Sequence, residues 1–218
     1  MRQRSVKNLD EKIENNSAYL VREPKDLKGK WHELFENDNP VYLEIGCGKG
    51  QFIFKHAEKE KDRNFIAVEA QPTVALRTLE KAEERKLNNV RIFIDYVNDL
   101  NDYFVPGEID GIYLNFSDPW VKARQAKRRL TYHARLENYS QVLKKGGTVE
   151  FKTDNDALFD FSIEEIEMMG YEILEKTRDL HASEFESANF TTEYEDKFSE
   201  SGKNINYVKF LTVSEKEI

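Results

Sequence analysis

The 218-residue chain has a single cysteine, Cys47, and only four histidines. One cysteine excludes an internal disulfide and any metal cluster held by several thiolates. The histidines, His32, His56, His133 and His181, lie far apart and lack the paired spacing of metal ligands. The sequence therefore predicts no metal site and no disulfide-stabilised fold.

Long apolar runs are also missing: the longest extend over a few residues, far short of the roughly 20 that span a bilayer as a helix. The opening residues, MRQRSVKNLDEK, contain no apolar stretch of the signal-peptide type. With 39% hydrophobic residues the chain can bury a sizeable core, and its length favours one domain. We therefore expect a globular, cytoplasmic protein that is not attached to a membrane.

Short runs rich in β-branched and aromatic residues alternate with helical patterns after residue 40. Five of these runs are predicted strands: 41–47, 65–70, 90–96, 111–117 and 148–153. Such alternation is typical of parallel strands joined by crossover helices. Two further strand candidates, 171–180 and 205–213, flank a polar segment over 181–204. A loop of this length in a compact domain is usually functional or disordered.

Apolar residues recur with helical spacing over Pro72–Arg85 and over residues 155–169, which predicts two helices against the sheet. Pro72 suits the first turn of a helix, and Gly170 follows the second helix where its end is expected. Residues 1–39 are polar and weakly periodic, with basic residues near the start. We predict that they form a partly basic N-terminal arm before a domain over residues 40–218.

The first predicted strand leads directly into a turn with glycine at Gly46, Gly48 and Gly50. Glycines here let the backbone approach a ligand at the carboxyl ends of the strands. A dinucleotide-binding fingerprint would need a glycine at position 51, where this chain has Gln51. The carboxylate of Glu44 would repel a pyrophosphate, whereas it suits the sulfonium and ammonium groups of S-adenosylmethionine.

A second carboxylate, Glu69, closes the second predicted strand, where an acid can accept hydrogen bonds from both hydroxyls of a ribose. Taken singly, each of Glu44 and Glu69 is better explained as an exposed acid at a strand end. The two acids together, placed around the glycine turn, favour an adenosyl cofactor.

A run of cationic residues follows the fourth predicted strand in a chain whose formal net charge is -8. Between Val121 and Leu136 there is no acidic residue, and the cations are Lys122, Arg124, Lys127, Arg128, Arg129 and Arg135. A local basic segment, here called the basic strip, indicates one concentrated phosphate-binding surface rather than a general nucleic-acid coat. The alternative is a solvated basic helix face.

The motifs LNFSDPW, K-x-R-x-x-KRRLT, FKTDN and TEYE occur in this order after the glycine turn. On these motifs the chain resembles the bacterial tRNA (guanine-N7)-methyltransferases over nearly its whole length. The resemblance implies an α/β fold with a doubly wound, mostly parallel seven-stranded sheet, the Rossmann-like class I methyltransferase fold. It also implies S-adenosylmethionine as cofactor and methylation of N7 of a guanosine in the variable loop of tRNA.

The resemblance implies roles for individual residues as well. Implied cofactor contacts are Glu44, Gly46, Gly48, Glu69, Tyr96 and Asp118. Implied substrate contacts are Lys122, Asp154, Thr192, Glu193, Tyr194 and Glu195. Implied RNA contacts are Arg124, Gln125, Ala126, Lys127, Arg128 and Arg129. Asp118, placed between cofactor and target guanine, is the predicted catalytic residue, and no metal ligand is implied.

Two positions depart from the family pattern. Tyr96 stands where the family usually has an acidic or amide residue, so adenine recognition there must come from the backbone, from Asp95 or Asn98, or from stacking on the tyrosine. Val121 replaces the usual proline after the tryptophan, which could loosen the start of the basic strip. The sequence leaves open whether the protein is a monomer or a homodimer.

Guanine N7 carries a lone pair and no proton, so methyl transfer to it requires no general base. Asp118 could follow the positive charge that passes to the purine, while Asp154 and Glu193 could accept hydrogen bonds from the Watson–Crick edge of guanine. Asp154 could instead cap the helix that follows it. Trp120 could stack on a base or ribose, or anchor the turn in the core.

Three other functions are compatible with parts of the sequence. An amino-methyltransferase is suggested by the likeness of SDPW to the D/N-P-P-aromatic turn of enzymes that methylate adenine N6 or cytosine N4. A non-catalytic tRNA-binding protein would keep the fold but not an intact cofactor site. A dinucleotide-dependent reductase is disfavoured by Gln51 and Glu44.

Overall fold

The computed structural model describes residues 6–199 and 202–212 and has a seven-stranded sheet at its centre. The strands are β1 (Val41–Ile45), β2 (Asn64–Glu69), β3 (Val90–Ile94), β4 (Ile109–Asn115), β5 (Leu143–Thr153), β6 (Glu172–Thr177) and β7 (Asn206–Leu211). Each strand lies within or overlaps one predicted run. Residue 213, the predicted end of the last strand, lies outside the described residues.

The strand order across the sheet is β3-β2-β1-β4-β5-β7-β6. Strands β1 to β5 are parallel, and β7 runs antiparallel to both β5 and β6. The predicted doubly wound, mostly parallel sheet of seven strands is therefore confirmed. The order reverses between β1 and β4, and ligands of such sheets bind in the crevice at this switch point, beyond the carboxyl ends of the strands.

Helices cover the sheet between its strands. They are α1 (Leu9–Asn15), α2 (Trp31–Phe35), α3 (Gln51–Lys59), α4 (Pro72–Arg85), α5 (His133–Val142), α6 (Asp156–Met168) and α7 (Glu193–Ser199). Both predicted helices are present as α4 and α6, with Pro72 in the first turn of α4. Gly170 has a φ of 70° just after α6, a conformation that glycine adopts without strain.

The central strands read as continuous apolar runs because helices cover both of their faces. β2 is buried along its whole length, and the side chains of Phe65, Ile66 and Ala67 are fully buried. Parallel strands are characteristically buried on both sides in this way. The rigid centre of the sheet therefore fixes where the polar residues at the strand ends can point.

The segment before β1 packs against the sheet. The N–H of Ile92 in β3 donates to the Tyr19 carbonyl at 2.9 Å, and the N–H of Val21 donates to the Ile92 carbonyl at 2.7 Å. Trp31 in α2 is fully buried and donates its Nε1–H to the Tyr103 carbonyl at 2.9 Å. The division into an arm over 1–39 and a domain from residue 40 stays a prediction, and the basic residues at positions 2 and 4 lie outside the described residues.

The polar segment predicted as a loop between β6 and β7 contains regular structure. Two 3₁₀ turns, Leu180–Ala182 and Glu184–Ala188, are followed by the helix α7. Its apolar anchors are sparse: Phe190 packs on His56 with 4.2 Å between ring centroids. Sequence periodicity could not show this helix because buried polar contacts, described below, hold it in place.

No helix within residues 6–199 and 202–212 is long and apolar enough to cross a membrane. In the same ranges, no group of three or more His, Cys, Asp or Glu residues is arranged to hold a metal ion. Cys47 is a buried free thiol in the turn after β1, where burial raises its pKa well above the usual value.

The contacts of Trp31 predict that the N-terminal segment contributes to global stability. Trp31→Ala should lower the free energy of unfolding by about 3–5 kcal/mol, because it removes a fully buried aromatic side chain and its hydrogen bond. Urea unfolding followed by circular dichroism measures this. His32→Ala, at the exposed neighbouring position, is the matched control. An equal, small effect of both variants would show that the segment folds separately from the sheet.

Candidate cofactor and substrate site

The turn after β1 is held by the neighbouring strand. The N–H groups of Gly46 and Cys47 both donate to the Val68 carbonyl, at 2.8 and 2.9 Å. Gly46 and Gly48 have φ values of 81° and 59°, and a Cβ added at either would meet nothing within 4 Å. The two glycines therefore supply a backbone conformation that other residues rarely adopt, and they leave the turn open to a ligand.

Glu44 lies at the end of β1 with 1% of its surface exposed. Its Oε1 accepts a hydrogen bond from Asn115 Nδ2 at 2.8 Å, whereas Oε2 is buried without a hydrogen-bond partner among the described residues. Burial raises the pKa of Glu44 to about 7, against smaller opposing effects of Asn115, Lys152 and the Ile53 N–H. A buried carboxylate oxygen of this kind is costly unless a donor satisfies it.

Glu69 lies at the end of β2, beside the glycine turn. One carboxylate oxygen accepts from the Gly48 N–H at 3.0 Å and the other from the Gln71 N–H at 2.8 Å. These bonds orient the carboxylate, and each oxygen keeps a further lone pair for a ligand hydroxyl. Burial, reinforced by the nearby charge of Asp118, raises the pKa of Glu69, which the N–H donors partly oppose.

Two cavities meet at Gly46, Asn115 and Phe116. The first, here called the Glu69 pocket, has a volume of about 290 Å³ and is also lined by Glu69, Asp95, Tyr96, Asp118 and Trp120. The second, the Glu44 pocket, has a volume of about 380 Å³ and is also lined by Glu44, Gly48, Thr192, Glu193 and Tyr194. The predicted cofactor residues and part of the predicted substrate segment thus share one crevice at the switch point.

The loop after β3 forms one wall of the Glu69 pocket. Asp95 is already engaged, because it accepts from the Tyr96 N–H at 2.7 Å and from the Tyr103 hydroxyl at 2.6 Å. Arg135 of α5 donates to the Asn98 carbonyl at 2.7 Å and to Asn98 Oδ1 at 3.2 Å. Tyr96 is 55% exposed at this wall. Its ring is therefore better placed to contact an adenine than the side chains of Asp95 and Asn98.

The turn after β4 has an unusual backbone. Phe116 and Trp120 have positive φ values of 49° and 41°, which cost energy in non-glycine residues and are common at functional sites. Asp118, between them, is exposed on the wall of the Glu69 pocket. Trp120 is half-buried, and the guanidinium of Arg128 lies over its ring at 4.8 Å. The tryptophan is thus part of the pocket wall and not a fully buried core anchor.

The basic strip divides into exposed and inward-facing residues. Arg124 and Lys127, on the 3₁₀ turn Ala123–Arg128, are exposed and form no ion pair with any described residue. Arg129 is half-buried and donates from Nε and a terminal nitrogen to the carbonyls of Pro119 and Trp120, at 3.0 and 3.1 Å.

The other members of the predicted RNA-binding run differ in exposure. Lys122 and Arg128 are exposed, Gln125 and Ala126 are half-buried, and Val121 is 81% exposed at the start of the strip. Arg129 therefore braces the turn that carries Asp118, while the outer residues are accessible to a large ligand. That any of them contacts RNA stays a prediction.

Two of the predicted substrate residues in α7 point toward the Glu44 pocket. Tyr194 packs on Phe116 with 4.9 Å between ring centroids. Glu193 binds Lys81 and lies 3.3 Å from Lys49 Nζ. Burial tends to raise the pKa of Glu193, but the two lysines outweigh it and lower that pKa. Glu193 is thus a carboxylate held ionised at the pocket by two flexible lysines.

Glu195 points the other way, into the protein. It is fully buried and forms an ion pair with Lys152 of β5 at 2.9 Å. It also accepts from Asn189 Nδ2 at 2.8 Å and from the Thr192 N–H at 3.2 Å. In the described residues Glu195 lines neither the Glu44 pocket nor the Glu69 pocket, so its predicted contact with substrate has no support in this geometry.

Asp154 lies just beyond β5. Its Oδ2 accepts from the Tyr194 hydroxyl at 3.1 Å and from Lys203 Nζ at 2.5 Å. The helix cap suggested for Asp154 is instead Asn155, whose Oδ1 accepts from the Leu158 N–H at 2.8 Å. That alternative is wrong because the helix starts one residue later than the Asp154 cap would require. In the part of the chain that the structure describes, Asp154 lines neither the Glu44 pocket nor the Glu69 pocket, and its link to the Glu44 pocket is the hydrogen bond from Tyr194.

Three residues of the site were missed as site residues by sequence reasoning. Asn115 holds Glu44, Arg135 holds the loop after β3, and Lys152 holds Glu195. All three lie in motifs or runs that the sequence singled out, but their partners are more than 35 residues away along the chain. A single sequence contains no signal for such pairings.

The crevice suits a nucleoside with a cationic tail. Glu44 Oε2 is an orphaned acceptor at one end, and Glu69 offers oriented lone pairs at the other. Gly46 between them leaves the backbone uncovered. S-adenosylmethionine, with an ammonium group and a ribose diol, presents donors for both carboxylates, so the residues present fit this cofactor.

Comparison with known proteins identifies close relatives. Residues 38–208 match the model of a family described as "Putative methyltransferase". A protein of Lachnoclostridium phytofermentans named tRNA (guanine-N(7)-)-methyltransferase is 45% identical over 217 residues, covering 100% of both chains. One of the same name from Mesoplasma florum is 48% identical over 215 residues, covering 94% of this chain and 96% of that protein.

Some solved structures match at much lower identity. A SAM-dependent methyltransferase from Aquifex aeolicus aligns with a TM-score of 0.56 and 13% identity, over 94% of this chain and 99% of that chain. At this identity the likeness concerns the fold. It agrees with the predicted Rossmann-like methyltransferase sheet.

The raised pKa of Glu44 predicts a pH-dependent contribution to stability. The folded state holds a proton on Glu44 up to about pH 7, whereas an unfolded glutamate has a pKa of about 4.3. The protonated form of Glu44 therefore stabilises the folded state fully below the pKa of the unfolded state. This contribution to the free energy of unfolding is lost as the pH rises through about 7. Glu44→Gln should remove this loss, so that the variant gains roughly 3 kcal/mol relative to the unsubstituted protein between pH 4 and pH 8.

Unfolding by urea at a series of pH values measures the effect in the protein without cofactor. Glu58→Gln is the control, since Glu58 is exposed in α3. Parallel pH profiles for Glu44→Gln and the unsubstituted protein would contradict the assignment of the titration to Glu44.

Proposed function

The chain belongs to the family of the tRNA (guanine-N(7)-)-methyltransferases, and we propose that it transfers the methyl group of S-adenosylmethionine to N7 of a guanosine in the variable loop of tRNA. One structural observation supports this most directly: Glu44, whose buried Oε2 has no hydrogen-bond partner among the described residues, lines a cavity that Thr192, Glu193 and Tyr194 also line. Cofactor and substrate residues are therefore adjacent.

The cofactor-binding residues act through position and charge. Glu44 Oε2 accepts a hydrogen bond from the ammonium group, and Glu69 accepts from the ribose hydroxyls. Tyr96 stacks against the adenine. This contact takes the place of the polar side chain that the family usually has at this position. When bound, S-adenosylmethionine supplies an electrophilic methyl group. The glycine turn keeps side chains away from this part of the crevice.

The residues on the substrate side need to orient guanine and to stabilise charge. N7 has a free lone pair, so no residue has to remove a proton before it attacks. Asp118, on the pocket wall beyond β4, stabilises the positive charge that develops on the purine. Arg129 holds the Pro119 and Trp120 carbonyls, which keeps Asp118 in place without a rearrangement during the reaction.

Guanine is distinguished from adenine by donors at N1 and at the exocyclic amino group. Glu193 lines the Glu44 pocket, Asp154 accepts from Tyr194 of the same pocket wall, and both carboxylates are half-buried. In the protein without RNA they bind Lys203 and Lys81, respectively. A carboxylate has about four acceptor sites, so each can accept from guanine while it keeps its lysine. Thr192 and Tyr194 complete the wall.

The exposed part of the basic strip binds the tRNA backbone. Pulling a guanosine out of its stack costs on the order of a few kcal/mol, which phosphate contacts of Arg124, Lys127 and their neighbours offset. Lys122 is next to the turn, and we assign it to the phosphate of the target nucleotide. Action on tRNA also supports a location in the cytoplasm.

The test of the proposed function is methyl transfer from labelled S-adenosylmethionine to unmodified tRNA, followed by aniline cleavage at N7-methylguanosine. We expect cleavage at one guanosine of the variable loop. Asp118→Ala should lower the rate at least about 100-fold because it removes a charge aimed at the transition state, with the fold intact. Asp62→Ala removes an exposed carboxylate between α3 and β2 and should retain activity.

Other outcomes have definite meanings. Incorporation of label without aniline-sensitive cleavage indicates an amino-methyltransferase, and binding of tRNA without incorporation indicates a non-catalytic protein. Near-normal turnover of Asp118→Ala would remove this residue from the mechanism.

The role of the basic strip is tested by the salt dependence of tRNA binding. The double variant Arg124→Ala, Lys127→Ala should bind tRNA more weakly, and the slope of log affinity against log salt concentration should fall by about 1 for each phosphate that is no longer neutralised. Cofactor affinity should not change. The control is Lys144→Ala, Lys145→Ala, which removes two exposed lysines at the opposite end of β5. Equal slopes in both double variants would show that the strip is ordinary solvated surface.

A further inference from the structure

A row of polar side chains crosses the sheet between the cofactor and substrate sides. In the sheet register Asn115 of β4 is the direct neighbour of Lys152 of β5. Asn115 donates to Glu44 of β1 at 2.8 Å, and Lys152 pairs with Glu195 at 2.9 Å. All four side chains are buried, with 9% or less of their surface exposed. The row connects the cofactor carboxylate to the segment that carries the substrate residues.

Lys152 makes more contacts to that segment than a simple ion pair. Its Nζ also donates to Asn189 Oδ1 at 3.0 Å and to the Phe190 carbonyl at 2.8 Å. These bonds and the one to Glu195 use the three donors of an ammonium group. The ammonium lies over the ring of Phe52 at 4.7 Å, beside the Glu44 pocket. Lys152 therefore anchors residues 189–195 to the sheet.

We propose that Lys152 is a positioning residue that fixes the substrate wall and, through its positive charge beside Glu44, stabilises the charged form of this cofactor carboxylate, with Glu195 as the internal counter-ion of Lys152. This inference rests on the function proposed above and assigns Glu195 to the protein interior instead of to guanine. A charged Glu44 is required because only the carboxylate attracts the ammonium group of the cofactor. Lys152 favours that form through its positive charge.

The charged groups around this row come from several elements, and Glu69 on the neighbouring strand β2 disfavours the charged form of Glu44. Glu150 lies on β5 itself, and Glu44 faces Lys152 from β1. Glu195 reaches it from α7, and His181 lies 3.3 Å from Glu195 Oε1. Burial lowers the pKa of Lys152, and the neighbouring carboxylates, Glu195 first, raise it. The acids around Lys152 therefore oppose the loss of its proton, and Glu44 is the one that also lines the cofactor crevice.

The test measures cofactor affinity against pH, by calorimetric titration of S-adenosylmethionine without tRNA. In the unsubstituted protein, affinity should fall as the pH drops and Glu44 becomes protonated. Lys152→Met keeps the length of the side chain but removes its charge, and should shift the midpoint of this fall upward by about one pH unit or more. At neutral pH the affinity of Lys152→Met for the cofactor should be weaker by up to about tenfold. This affinity should recover at higher pH.

A lone Lys152→Met leaves Glu195 buried without its partner and could prevent folding. The double variant Lys152→Met, Glu195→Gln removes both charges together, and its midpoint should lie above that of Glu195→Gln alone, because these two proteins differ only in the charge at position 152. Glu195→Gln alone should leave the midpoint unchanged or lower it, because Lys152 keeps its charge. Lys55→Met is the matched control: Lys55 binds Thr191 of the same segment but lies on α3, away from the row. Its midpoint should not move.

The result that overturns the proposal is a folded double variant whose midpoint equals that of Glu195→Gln alone. A second contradicting result is a Glu195→Gln variant that loses tRNA affinity to the same extent whether residue 152 is lysine or methionine, since this would place Glu195 on the substrate. Failure of the unsubstituted protein to methylate tRNA would instead refute the proposed function, and the cofactor titration distinguishes the two cases.

Discussion

The ammonium group of Lys152 is buried, and a buried charge is tolerated only when acceptors inside the protein surround it. Those acceptors come from residues 189–195, a polar segment with few apolar side chains to bury. The bonds to Lys152 are the buried polar contacts of this segment, and they add to the packing of Phe190 on His56. Glu193 and Tyr194 belong to the same segment, so the contacts of Lys152 with Asn189, Phe190 and Glu195 also help to hold these two side chains at the crevice.

The same constraint operates on the cofactor side. Parallel strands covered on both faces leave their polar side chains in a dry interior, where each polar atom needs a partner. Asn115 serves one oxygen of Glu44, and the other oxygen is left for a ligand. Glu69 shows the contrasting solution, because backbone N–H groups bind both of its oxygens and still leave lone pairs. The second oxygen of Glu44 thus gains its hydrogen-bond partner only when the cofactor binds. Both oxygens of Glu69, by contrast, already have backbone partners before they accept from the cofactor.

The sheet was predictable because the residues that specify each strand lie within that strand or next to it. Apolar runs of strand length, Pro72 and Gly170 mark their elements within a few residues, and Glu44 and Glu69 follow from their places at strand ends. α7 was not predictable, because Lys152, Gln51 and Lys81 hold it from distant parts of the chain. The inward direction of Glu195 was hidden for the same reason: TEYE as a motif does not distinguish the acid that faces the pocket from the acid that faces the core.

The basic strip shows why composition alone misleads at such a site. All of its arginines carry the same charge. Arg129 and Arg135, however, donate hydrogen bonds to backbone carbonyls of the turn after β4 and of the loop after β3, respectively. Those two backbone segments carry Asp118 and Tyr96. A guanidinium has five donors in a rigid fork, so it can bind carbonyl groups where an ammonium would hold only a point contact. The strip therefore provides a surface for phosphate and also holds the backbone of the pocket in place. Replacement of Arg129 or Arg135 would impair catalysis without weakening the binding of RNA.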